Sequence, residues 1–401
     1  MARTDSPRVA VLGGGPVGLE AALYASALGL PFTVYERGRV GENLRRWGHV
    51  RLFSPFGMNA TPLGLARVRA DQPQHPLPGP NDLLTGREHT AAYLEPLALS
   101  PALIPAIREN TAVVRVGRRG LLKGDYFGDA RRAREPFRLL LRDDKGKEHV
   151  EEADAVLDCT GVYGKLRWLG DGGIPAVGET AARPHIAYGL EDVTGERRAH
   201  YADKTTLVIG SGHSAATTVC TLAALAHDHP GTWVIWLARG AGSQPLRRLA
   251  NDPLRERDLL AVRANNLATR PDGNVEFHPQ TVVEAVETAG PDRGFKVVGR
   301  SGGKTVSWDV DRVIANVGYS PDSELYRELQ VQECPATLRP LNPAAAQGPA
   351  ALRQPEPNFF VLGAKSQGRN SNFLLRTGFE QVRDAFALLL GKPGLDLYKA
   401  R

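Results

Sequence analysis

Val9-Ala10-Val11-Leu12-Gly13-Gly14-Gly15-Pro16-Val17-Gly18 carries an apolar run straight into a glycine-rich turn, and small and apolar residues continue beyond it. A strand, a tight turn and a helix in that order make a seat for a pyrophosphate. The first glycine allows the turn, the second lets backbone N–H groups approach the phosphates, and the third position must be small for helix and strand to pack. Pro16 suits the first helical position, where its missing N–H costs nothing. A strand over 32–35 follows and ends in Glu36, which lies 21 residues after Gly15 (36 minus 15). That is close to the ~20-residue offset at which an acid meets a ribose diol. Arg37 stands beside it.

The same grammar returns later in the chain. A strand over 205–209 leads into Gly210-Ser211-Gly212-His213-Ser214-Ala215, then a helix over 213–226 and a strand over 233–237. This second strand ends in Ala238-Arg239, with Arg247 and Arg248 close behind. An acid there would repel a 2′-phosphate, whereas arginine accommodates one, so NADPH is expected rather than NADH.

Between and around these units, strand-like runs over 112–116, 137–142 and 155–157 predict one small antiparallel meander returning to a parallel sheet. Runs over 275–277, 281–287 and 295–298 predict another. The fold class is therefore α/β: two Rossmann-like dinucleotide-binding domains, the second inserted in the first, each with a small meander. The expected boundaries are 1–175 and 313–401 for the first domain and 176–312 for the second, with the glycines around 170–178 read as a linker. The segment 45–97 has no clean period apart from a helix around 88–97, and loops of that length tend to be functional.

Composition narrows the function. The chain has 401 residues, 42% of them hydrophobic, and a net charge of +6. The positive excess is too small and too dispersed to favour nucleic acid, and its densest stretch, 115–134, reads as a solvated connection. No apolar run approaches the ~18 residues of a membrane span, and Met1 to Pro7 runs straight into the first strand without room for a signal peptide. A cytoplasmic protein without membrane partners is expected. The three cysteines, Cys159, Cys220 and Cys334, form no CxxC pair, so a dithiol redox centre is not indicated. No HExxH-type spacing marks a metal site, and GxSxG is absent at His213-Ser214.

The ordered parts, from the first turn through Thr160-Gly161, the second turn, Gly318 and Gly363, resemble the two-dinucleotide-binding-domain flavoproteins over nearly the full length. That group holds flavin-containing monooxygenases, thioredoxin-reductase-like and glutathione-reductase-like enzymes. The resemblance implies FAD on Gly13, Gly15, Pro16 and Gly18, with Glu36 at the adenosine ribose. It implies NADPH on Gly210, Gly212, His213, Ser214 and Ala215, with Arg239 near the 2′-phosphate. Thr160, Gly161 and Gly318 would be crossover points between domains. Trp47 and Asn59 occupy the place where flavin-containing monooxygenases carry a tryptophan followed by an asparagine facing the isoalloxazine, which makes Asn59 the catalytic candidate.

Two departures stand out. The FxGxxxH-type fingerprint before the second turn is replaced by Arg183-Pro184-His185-Ile186-Ala187-Tyr188-Gly189-Leu190, and the usual Gly-Asp near the C-terminus is Gly363-Ala364. The segment 365–381 would place a helix N-terminus near the flavin, with Lys365, Arg369 and Phe373 around it; a positive dipole end suits an anionic reduced flavin.

The leading expectation is an FAD- and NADPH-dependent monooxygenase that oxygenates a small amine or sulfur centre through a flavin hydroperoxide, with molecular oxygen as co-substrate. The alternatives are an NADPH-dependent reductase serving a quinone or protein acceptor, and a non-catalytic redox or nucleotide sensor. A homodimer is compatible with the chain, and the oligomeric state stays open.

Overall fold

The computed structural model describes residues 6–270, 273–290, 292–342, 344–345 and 347–399. The expected direct entry of the N-terminus into the first strand therefore falls partly outside the described residues, at 1–5. The chain divides into two compact units, 1–165 with 320–401, and 166–319.

The first unit is built on a five-stranded parallel sheet of β1 (Val9–Leu12), β2 (Phe32–Tyr35), β3 (Ile107–Arg108), β7 (Ala155–Asp158) and β15 (Phe359–Val361), in the order β15-β7-β1-β2-β3. Its strands β1, β7 and β15 are buried on both faces, which is why they read as near-continuous apolar runs. Val9 and Val11 face the helices Pro16–Ala27 and Leu375–Leu389, whereas Ala10 and Leu12 face the antiparallel sheet β4 (Thr111–Arg118), β5 (Phe137–Asp143) and β6 (Glu148–Ala153). The period-2 alternation thus sends each strand's residues into two separate cores.

The second unit repeats the plan. β8 (Thr205–Ile209), β9 (Trp233–Leu237), β10 (Val275–His278) and β14 (Arg312–Ala315) form a parallel sheet in the order β10-β9-β8-β14. The helices His213–Leu225 and Arg255–Thr269 cover one face. An antiparallel sheet of β11 (Thr281–Thr288), β12 (Phe295–Ser301) and β13 (Lys304–Val310) covers the other.

The glycine-rich stretch 170–178 is a wall of this unit rather than a linker. Gly170 and Val177 bridge to Val283 and Ala285 of β11. The buried Glu179 carboxylate accepts from the N–H groups of Leu169 and Ala176 and from the Tyr188 hydroxyl. For the same reason the unit spans 166–319 rather than 176–312. The basic stretch 115–134 is not wholly solvated either: the side chains of Arg118 and Arg132 are fully buried on Glu356.

Candidate functional site

Both glycine turns are built as uncapped helix starts. The helices Pro16–Ala27 and His213–Leu225 begin at Gly15 and Gly212, neither has a side-chain cap bond, and neither carries an acid in its first turn. Their first N–H groups are therefore open to a ligand, and the helix dipole favours an anion there. Gly18 admits no side chain, because a Cβ would lie 1.8 Å from the Gly13 carbonyl oxygen. Gly210 adopts φ +136, and a Cβ there would lie 2.3 Å from the Asn316 carbonyl oxygen. At Gly15 and Gly212 the corresponding direction is open within 4 Å. Each turn is thus tight where strand and helix must meet and empty where phosphates would sit.

Around the first turn, the Glu36 carboxylate accepts from the N–H groups of Gly14 at 2.7 Å and Gly38 at 2.9 Å, which fixes it beside the turn with lone pairs to spare. Arg37 is exposed and reaches towards Gly164. Gly363 packs on Val17, and its N–H donates to Gln381 Oε1 at 2.8 Å. Thr160 and Gly161 follow β7, where Thr160 Oγ1 donates to Asp158 Oδ1 at 2.6 Å. Trp47 packs against Gly86, and its ring lies 6.4 Å from that of Tyr163. Its Nε1 is buried with no hydrogen-bond partner among the described residues.

Four of the residues expected near the flavin stand as follows. The Asn59 amide is closed on Ser54, accepting from Oγ at 2.7 Å and donating to the carbonyl oxygen at 2.9 Å, so it locks the 54–59 turn. Lys365 is not at a helix start. It belongs to the 3-10 turn Gly363–Gln367, and its buried Nζ is 2.6 Å from Asp158 Oδ2. The α-helix itself begins only at Leu375, so Phe373 precedes it, packed on the core, and Arg369 lies exposed between the two elements.

In the second unit, the Trp236 indole N–H donates to the Gly210 carbonyl at 2.7 Å. Asn316 ties the turn to its surroundings, accepting from Thr218 Oγ1 at 2.8 Å and donating to the Gly189 carbonyl at 2.6 Å. Ala187 pairs with Ile314, so the segment that replaces the expected fingerprint runs along the sheet edge towards the turn. Burial and the nearby Arg257 hold the His213 imidazole below its ordinary pKa, hence neutral at the helix start. Arg239 is exposed beyond β9, without an ion pair among the described residues. Gly318 lies one residue before the end of the unit, and its carbonyl accepts from the Arg167 N–H.

Neither a protein-family model nor a curated protein matches the sequence. Solved structures do. The bacillithiol disulfide reductase of Bacillus cereus is 18% identical, with 96% of this chain and all of that chain covered at a TM-score of 0.70. The FAD-bound cadaverine monooxygenase of desferrioxamine biosynthesis from Erwinia amylovora is 14% identical over 99% of this chain and 98% of that one, at a TM-score of 0.67. The reduced ornithine hydroxylase of Pseudomonas aeruginosa is 16% identical over 96% and 99%, at a TM-score of 0.61.

The chain has the two-dinucleotide-binding-domain fold. The residues present fit two dinucleotides: two uncapped helix starts, space beside Gly15 and Gly212, an acid at Glu36 held against the first turn and an exposed arginine, Arg239, beyond β9. No helix among the described residues is long and apolar enough to cross a membrane, and no group of metal-ligating side chains occurs among them.

Sequence reading missed a buried polar cluster behind the first turn. Glu20, on the first helix, accepts from Thr61 Oγ1 at 3.0 Å, and burial pushes its carboxyl up to about 7. The Tyr93 hydroxyl accepts from the Thr61 N–H at 3.3 Å. His89, whose ring lies 5.8 Å from that of Tyr93, has no partner at either nitrogen among the described residues, and burial lowers it to about 4. The available signal was one acid inside an otherwise apolar helix.

Proposed function

We propose that the protein is an FAD- and NADPH-dependent oxidoreductase, and that it oxygenates a small soft nucleophile, an amine or a sulfur centre. The observation that carries this reading is the pair of uncapped, open glycine turns, one in each unit. Gly13 to Gly18 and the first helix hold the FAD pyrophosphate, and Glu36 holds the adenosine ribose. Thr160, Gly161 and Gly363 form the floor. Gly210 to Ala215 hold the NADPH pyrophosphate, and Arg239 meets its 2′-phosphate.

Bound FAD supplies the two-electron chemistry, accepting hydride from NADPH and passing electrons onward. The protein's part is to orient the cofactors and exclude water. Cys159, Cys220 and Cys334 are all free thiols, so no dithiol carries electrons away. Oxygen is an acceptor that needs no further redox group in the protein. Structures of this fold that are named as a cadaverine monooxygenase and an ornithine hydroxylase support an amine as the substrate class.

A second reading, a reductase serving a quinone or protein acceptor, is favoured by Asn59, which bonds Ser54 through both its oxygen and its NH2 and is 1% exposed, leaving it no face for the flavin. Product accounting separates the two. With NADPH under air, the monooxygenase gives oxygenated amine or sulfide in proportion to NADPH consumed. The reductase gives hydrogen peroxide alone, unaffected by either compound, and turns over with a quinone.

A further inference from the structure

The first glycine turn lies between two strand ends that a single buried ion pair joins. On one side, a Cβ on Gly13 would come within 2.8 Å of the Cys159 carbonyl oxygen and 3.2 Å of Thr160 Cα. The end of β7 is therefore packed against the turn. On the other side, Gly363 of the 3-10 turn meets Val17 at the helix start, where a Cβ would be 3.4 Å from Val17 Cγ2. The 3-10 turn is pinned from outside, because Gln381 accepts from the Gly363 N–H and donates to Ser366 Oγ at 2.7 Å.

Lys365 closes the ring from inside. Its Nζ donates to Asp158 Oδ2 at 2.6 Å and to Thr160 Oγ1 at 3.2 Å, and lies 4.8 Å from the centre of the Tyr326 ring. The other oxygen of Asp158 takes both the N–H and the hydroxyl of Thr160, at 3.1 and 2.6 Å. Lys365 and Asp158 side chains are 1% and 0% exposed, so the ammonium is not available to a ligand. A buried pair of opposite charges gives little net stability over apolar residues of similar volume, which leaves specificity of geometry as its physical use.

We propose that Lys365 is a positioning residue for the first dinucleotide seat. Acting through Asp158, it holds Thr160 and Gly161 against the glycine turn and keeps the 3-10 turn at Gly363 against the helix start. This rests on the FAD reading of that seat.

The test uses the full-length chain stripped of flavin, with FAD titrated in and followed by flavin fluorescence and visible absorbance. Thermal midpoints of the FAD-free samples are measured in parallel. Three variants are compared with wild type: K365M, the charge-free double variant D158N/K365M, and T160V, which removes the hydroxyl bonds and leaves the ion pair. K365M leaves Asp158 buried without its counter-charge and melts well below wild type. D158N/K365M recovers the midpoint, because no charge is left unpaired. Its FAD affinity nevertheless stays about tenfold below wild type, the loss expected for about one charge-assisted hydrogen bond's worth of ordering, with a shifted flavin spectrum. T160V loses affinity by a few-fold at an unchanged midpoint, so the answer does not depend on how the other variants fold. FAD affinity equal to wild type in T160V and in the double variant overturns the proposal. Wild-type chain that takes up no FAD overturns the FAD reading itself.

Discussion

The indole N–H of Trp236 donates to the carbonyl oxygen of Gly210 at 2.7 Å. A fully buried core residue of β9 thereby sets the orientation of the first peptide of the second glycine turn. Trp236→Phe removes the donor, leaving a carbonyl unpaired at a cost of about 1–2 kcal/mol, and its smaller ring adds a packing loss in the core. Titration of NADPH is expected to show about tenfold weaker binding, with FAD affinity unchanged, since the first seat belongs to the other unit.

At the first turn the limit is steric. Gly18→Ala puts a methyl where only 1.8 Å separates it from the Gly13 carbonyl oxygen, so the turn must open. The variant is expected to purify colourless while NADPH binding persists. Retention of FAD at a wild-type ratio, measured by absorbance, would contradict the seat assigned to Gly13 to Gly18.

Glu20 and His89 give the chain a pH profile with a definite sign. Burial raises the Glu20 carboxyl from 4.5 to about 7, so the folded chain keeps a proton that the unfolded chain releases, and stability is lost as pH rises from 4.5 to about 7. Burial lowers His89 from 6.5 to about 4, so the unfolded chain takes up a proton first, and stability is lost as pH falls from 6.5 to about 4. Between 4.5 and 6.5 the two slopes oppose and nearly cancel. Glu20→Gln removes one of them. Urea midpoints should then reveal stability rising with pH by about 1.4 kcal/mol per unit in that window, and a flat profile in the variant would rule the pairing out.

Glu356 is the counter-charge of two buried guanidinium groups, 2.8 Å from Arg118 Nε and 2.8 Å from Arg132 Nη2. All three side chains are 0% exposed. Glu356→Gln is expected to cost about 3–5 kcal/mol, because it leaves buried positive charge uncompensated. A fall in the urea midpoint at constant slope checks it.

The features legible in the sequence were those encoded locally. Each glycine turn stands within a few dozen residues of its apolar strands, as does the acid closing β2, and the structure builds one such turn into each unit. Features made by distant partners were not legible. Lys365 reads as a charge beside the flavin because Asp158 is 207 positions away, and Arg132 reads as solvated because Glu356 is 224 away. β6, Glu148-His149-Val150-Glu151-Glu152-Ala153, carries no apolar alternation because it is mostly exposed, and only its ladder with β5 makes it a strand. The segment 45–97 begins within the helix Glu42–Arg46 and contains the short helices Phe56–Asn59 and Pro62–Asp71, too short to declare a period. Asn59 was legible as a residue and not as a contact, since the sequence does not reveal that Ser54 takes both groups of its amide.

The most direct test of the account is to purify the chain, confirm bound flavin by absorbance, and follow NADPH oxidation in air with a small primary amine or a thioether present. NADPH consumed, oxygenated product and hydrogen peroxide are counted in the same samples. The account predicts a yellow protein that forms oxygenated product in near-equal amount to the NADPH it oxidises. Rapid NADPH oxidation that ends wholly in hydrogen peroxide, at a rate indifferent to amine and thioether, would contradict the oxygenation claim.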